Sequence, residues 1–192
     1  MNLNEQRDEA FRIASEHGWH DTELSDEHWL MLVVSELCEA VEADRKNRHA
    51  DRLAFERDTT RALRDLHLTG DSYKTYESSA FNNYVKDTVE DELSDVVIRC
   101  FDLAGLRQID LPESLTPTQP MLERTREITF TEWAYRISAI VVNDFLATET
   151  KITLTILNVI AQANIMGFEL WWHVSQKMHY NETRSFKHGK KY

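Results

Sequence analysis

Two acidic pairs are the residues best placed to do chemistry. In the segment SELCEA, Glu36 and Glu39 lie three apart, a spacing that sets both carboxylates side by side on one helix face, where they repel. Glu42 continues that face, and neither Glu36 nor Glu39 has a Lys or Arg four residues on. The segment VEDELSDVVIRC repeats the spacing with Glu92 and Asp95, flanked by Leu93, Val96, Val97 and Ile98. A single acidic pair usually belongs to a solvated helix face. Carboxylates set into apolar runs are tolerated best when a cation neutralises them, and hard oxygen donors of this kind suit Mg²⁺ or Mn²⁺. If the two helices pack antiparallel, four oxygen-bearing side chains converge on one or two divalent ions, which bind phosphates and activate water for hydrolysis.

Other residues fit around such a centre. Arg99 falls four after Asp95 and seven after Glu92, on their face, where a salt bridge holding a carboxylate is its expected role. Near the carboxyl end Lys177, Asn181 and Arg184 sit at i, i+4 and i+7. That face presents two cations and an amide to phosphate oxygens, Lys as a mobile point charge and Arg as a planar fork. Tyr180 beside Asn181 can flank a sugar or base. Trp171 and Trp172 are adjacent and face different ways, so at least one belongs to a core or interface.

Several chemistries are excluded. No Gly-rich phosphate loop occurs, which removes a Walker-type site. No histidine has a Glu three residues before it, as a ferritin-like di-metal oxidase requires. The histidines lack zinc-like spacing and read as surface or hydrogen-bonded residues, and Cys38 reads as a small core residue rather than a nucleophile.

The elements that must position these groups read as helices. Residues 3–17 form a short first helix ending at Gly18, and Ser25 or Asp26 caps a second that carries Trp29, Leu32, Val33, Leu37, Ala40 and Val41 as its apolar stripe. Residues 45–80, rich in Arg and Asp, read as an inserted helix and loop with a turn at Thr69-Gly70-Asp71. A third helix runs from about Phe81 to Gly105, followed by a linker, IDLPESLTPTQP, that holds all three prolines. Thr131 begins the next helix, one long helical pattern covers 150–183, and 185–192 is a basic tail.

The whole chain agrees with this. Its 192 residues suit one domain, and 22 Lys plus Arg against 33 Asp plus Glu give a net charge of −11, which argues against a nucleic-acid polymer as partner. Five Gly and three Pro, with 42% apolar and 29% charged residues, favour an all-α chain. Two cysteines cannot build a disulfide framework, and neither a leader-like h-region nor a membrane-length apolar run is present. A cytoplasmic protein without membrane contact is the expectation.

The combination of ExxE at Glu36–Glu39, ExxD at Glu92–Asp95 and KxxxNxxR at Lys177–Arg184 resembles the MazG-like, all-α nucleoside triphosphate pyrophosphohydrolase superfamily, and the text around those motifs extends the likeness over about two thirds of the chain. The resemblance implies a helical bundle completed as a homodimer or homotetramer. It makes Glu36, Glu39, Glu92 and Asp95 the Mg²⁺ ligands, with Glu39 also orienting or deprotonating the attacking water. It makes Lys177, Asn181 and Arg184 contacts to a nucleoside triphosphate that is cleaved to a monophosphate and pyrophosphate, and sets Trp19, in HGW ahead of the first acidic helix, where relatives stack a base, a structural contact being the alternative. The 52 residues between Glu39 and Glu92 exceed the short spacing of small family members. The competing expectation is a non-catalytic helical interaction module whose acids are a solvated face.

Overall fold

The computed structural model describes residues 2–189, with side chains up to residue 187. The described residues form nine α-helices and no strand: α1 (Leu3–Glu16), α2 (Asp26–Arg45), α3 (Arg52–Arg64), α4 (Gly70–Tyr84), α5 (Val89–Leu106), α6 (Gln119–Arg126), α7 (Phe130–Val141), α8 (Thr148–Met166) and α9 (Leu170–Glu182), then a 3₁₀ turn, Phe186–Gly189. The start of the basic tail lies in that turn, and residues 190–192 are outside the described residues.

The bundle is organised around α5. It packs against α1, α2, α8 and α9 and buries Leu93, Val96, Val97, Phe101 and Leu103 completely or nearly so. A helix covered on all sides is normally apolar all round. This one instead buries Glu90, Asp91, Glu92, Ser94 and Asp102 as well, so the polar side chains must find partners on the neighbouring helices.

Local signals account for most helix ends. Ser25 caps α2 by accepting from His28 N, and Gly18 ends the first segment at φ 77. Thr129, not Thr131, caps α7 in a reciprocal box with Glu132, because only the residue three before a Glu can exchange both bonds. Gly105 is no stop signal: it lies inside α5, where an added Cβ would come within 2.5 Å of Phe11 Cβ, so it marks the close approach of α1. The linker's last proline, Pro120, falls in the first turn of α6, where a missing N–H costs nothing.

Two segments differ from expectation. The pattern over 150–183 is two helices, because Gly167 adopts the left-handed conformation that ends α8 and turns α9 by 115°. The inserted region is a pair of helices, α3 and α4, and α4 continues through Phe81 to Tyr84; the backbone then breaks with Asp87 at φ 59 before Thr88 caps α5. Phe81 therefore joins a second small core with Phe55, Ala80 and Val85. That core rests on α9: Phe81 stacks on Tyr180 at 4.5 Å, Phe55 meets Trp172 edge-on at 5.6 Å, and the Arg52 guanidinium lies 4.6 Å above Trp172. Trp171, facing the other way, stacks on Phe101 in the main core. The insertion thus buttresses the outer side of α9 and holds its inner side against α5. Cys38, expected in the core, is exposed, whereas Cys100 is buried. Among the described residues no single helix is long and apolar enough to cross a membrane.

His173, on α9, is the histidine that departs furthest from a surface role. It is buried between Trp172 and Phe168, and burial, aided by the charge of Arg52 and opposed by that of Glu90, pushes its imidazolium down to about 4. The unfolded chain takes up the proton near the ordinary value of about 6.5. Between those values only the unfolded state is protonated, so stability falls as pH drops from about 6.5 to 4. His173→Phe should flatten that part of a urea-midpoint profile by about 3 kcal/mol; parallel profiles for the two proteins would show that His173 does not titrate on unfolding.

Candidate metal centre

α2 and α5 lie side by side and turn their acidic faces toward each other. One carboxylate oxygen from each of Glu36, Glu39 and Glu92 lies within 4.8 Å of the other two. Glu36 and Glu92 are buried at 7% and 4% exposure, while Glu39 opens to solvent, so the pairs are not a solvated face. These three acids line one side of a cavity of about 210 Å³. Ala10, Ile13 and Ala14 of α1, Trp19, Ile98, Arg99 and Asp102, and Met178, Asn181 and Arg184 from the carboxyl end supply much of the rest.

The electrostatics follow from crowding. Burial, reinforced by the charges of Asp95, Asp91 and Glu39 and only partly offset by Lys177, pushes the Glu92 carboxyl up to about 9. Burial also raises Glu36, with Asp95 and Glu39 adding to the effect and Arg99 opposing it. Arg99 Nε donates to Glu36 Oε1 at 3.0 Å, and its guanidinium lies 5.7 Å from the Trp19 ring. The expected carboxylate-holding role is therefore realised toward Glu36 on the neighbouring helix rather than toward the acids of α5. Three carboxylates packed closely enough for burial and like charge to keep one protonated at neutral pH form a donor set that a hard divalent cation fits, because a cation reverses both penalties.

The remaining site residues divide. Asp95 lines the same cavity, but its Oδ2 lies 2.7 Å from Lys177 Nζ, so the expected four-acid convergence becomes a close triad with an ion-paired fourth member. Lys177 lines the cavity as well, from within an ion-pair network. It is 5% exposed and bridges Asp95 and Asp91 Oδ2, the latter at 2.8 Å, and it is held well above the usual lysine range by those charges despite its burial. Its ammonium is engaged with two protein carboxylates at the cavity wall. Asn181 and Arg184 do line the cavity, and Asn181 Oδ1 is buried with no hydrogen-bond partner among the described residues. Trp19 walls the cavity beside Arg99 at 6% exposure. Tyr180 does not line it: consecutive helix positions diverge, and Tyr180 stacks on Phe81 while its hydroxyl donates to Asn82 Oδ1 at 3.0 Å. Glu42 faces solvent in ion pairs with Lys46 and Arg45.

Sequence reasoning missed Asp91 and Asp87. Asp91 is 1% exposed, accepts from Asp87 N at 3.0 Å, and forms a second acidic group with Asp87 and Glu92. The available signal was the spacing of Asp87, Asp91 and Asp95 at i, i+4 and i+8. Lys86, also on the cavity wall, gave none.

Comparison of the chain with family models, curated proteins and solved structures finds no match. The fold and site define an all-α bundle with a buried acidic cavity.

Proposed function

We propose that the chain is a divalent-cation-dependent nucleoside triphosphate pyrophosphohydrolase. The observation that carries this reading is the approach of Glu36, Glu39 and Glu92 to within 4.8 Å of one another beside Asn181 and Arg184 in one cavity. In this reading Glu36, Glu39 and Glu92 hold Mg²⁺ or Mn²⁺, with Asp95 completing the set from its ion pair. Such an ion supplies charge neutralisation at phosphate and a water of lowered pKa. The exposed Glu39 orients the attacking water and receives its proton. Arg184 grips phosphate oxygens as a fork, Asn181 turns its unpartnered amide oxygen to a sugar hydroxyl, and Arg99 holds the Glu36 carboxylate in place. In-line displacement at phosphorus needs positioning and charge compensation more than a protein nucleophile.

Within this reading the protein acts as a homodimer or homotetramer, for which the exposed Tyr135, Val142 and Phe145 offer apolar surface. The test is a panel of ribo- and deoxynucleoside triphosphates assayed for pyrophosphate with Mg²⁺, Mn²⁺ or chelator. Monophosphate and pyrophosphate in equal amounts, lost on chelation, are expected. A melting point raised by Mg²⁺ should accompany them, since an ion binding only the folded state stabilises it by about 2.7 kcal/mol at a hundredfold excess over Kd. A panel with no turnover and no cation-dependent melting shift would leave the site a structural acidic cluster.

A further inference from the structure

Asp102 is a cavity carboxylate to which the hydrolytic reading gives no task. It lies on α5 ten residues beyond Glu92, so about 15 Å of helix axis separates it from the acidic end, the scale of a nucleotide. The wall changes character there: Ala10, Ile13, Ala14 and Ile98 are apolar, and Trp19 closes one side. Asp102 is 4% exposed, and its Oδ1 accepts from His20 Nε2 at 2.7 Å. His20 is itself set between the rings of Phe11 and Trp29, with centroids 5.1 and 5.2 Å away, so the carboxylate's rotation is fixed. No hydrogen bond to Oδ2 occurs among the described residues.

A carboxylate only accepts hydrogen bonds, so a base meeting Asp102 must present donors. Guanine presents N1–H and its amino group side by side, matching two carboxylate oxygens. Adenine and cytosine present one amino group. Uracil and thymine present a single ring N–H between two carbonyl oxygens, which a carboxylate repels. We propose that Asp102, positioned by His20, reads the base, and that this site takes guanine nucleotides in preference to those carrying uracil or thymine. This rests on the nucleotide reading of the cavity.

The test compares kcat/KM for GTP and dGTP with UTP and dTTP. A guanine preference of about 10-fold or more is expected, the scale of a two-bond contact to one base. Asp102→Asn, which replaces an acceptor with an amide donor, should bring the ratio toward unity by lowering the guanine values alone. Equal values in the wild type, or an equal fall for every base in the variant, would overturn the assignment. Calorimetric titration of the wild type with GMP and UMP, in Mg²⁺, separates this from failure of the hydrolytic reading and needs no variant to fold. A protein that hydrolyses nothing yet binds GMP about 10-fold tighter supports the base assignment and removes the hydrolase; equal binding, or none, overturns it.

Discussion

Glu39→Gln is expected to lower cation-dependent pyrophosphate release by about 10³-fold, the scale of losing a positioned proton acceptor, without lowering the melting point of the metal-free protein. The two halves have different origins. Glu39 is the solvent-open member of the triad, and its charge pushes both Glu36 and Glu92 upward. The amide removes that repulsion, so the metal-free fold stays as stable or gains. Glu36→Gln is the contrast: Glu36 accepts from Arg99 across the α2–α5 interface, so the change leaves a part-buried guanidinium with a poorer partner and lowers both activity and melting point. Loss of function without loss of stability marks a residue kept for chemistry at the expense of packing. Full pyrophosphate release by Glu39→Gln, measured at saturating Mg²⁺, would remove Glu39 from the reaction.

The readable part of this site was the part written in i,i+3 spacing on two helices. Glu36, Glu39 and Glu92 come together as that spacing implies, because the apolar stripe of α2 packs on α5 and carries its acids to the face of α5 that bears Glu92. What the sequence could not supply was which face of a third helix met them. Lys177 and Asn181 share a face of α9, with Lys177 where α9 contacts α5, whereas Arg184 lies past the end of the helix. The fold followed the same division. Caps at Ser25 and the stop at Gly18 are local and were legible. The start of α5 was not, since Phe81 looks like one more apolar position in a continuing helix and only its docking against Phe55 and Tyr180 assigns it to the insertion. Asp91 shows the limit most clearly: beside Glu92 it reads as another surface acid, and its significance comes entirely from a lysine 86 residues away.

That lysine sets the second large expectation. Lys177→Met should cost about 3–5 kcal/mol of folding stability, the scale of breaking a buried ion pair by removing one partner, rather than acting chiefly on triphosphate affinity. The side chain is nearly isosteric, so lost packing contributes little, and the loss comes from Asp91 and Asp95, left facing each other without a cation. Burial already pushes Asp91 up to about 6 with Lys177 present; removing the ammonium raises it further. A folded-state carboxyl raised above its unfolded value takes up protons on folding, so the variant's deficit should be largest near pH 8 and shrink toward pH 5 as Asp91 protonates. Urea midpoints for wild type and variant at both pH values measure this directly. Adding Asp91→Leu should restore part of the loss, because an apolar replacement removes a buried charge that no longer has a partner. Equal midpoints at both pH values, with a raised KM for nucleotide, would instead mean that Lys177 leaves its two aspartates and meets phosphate.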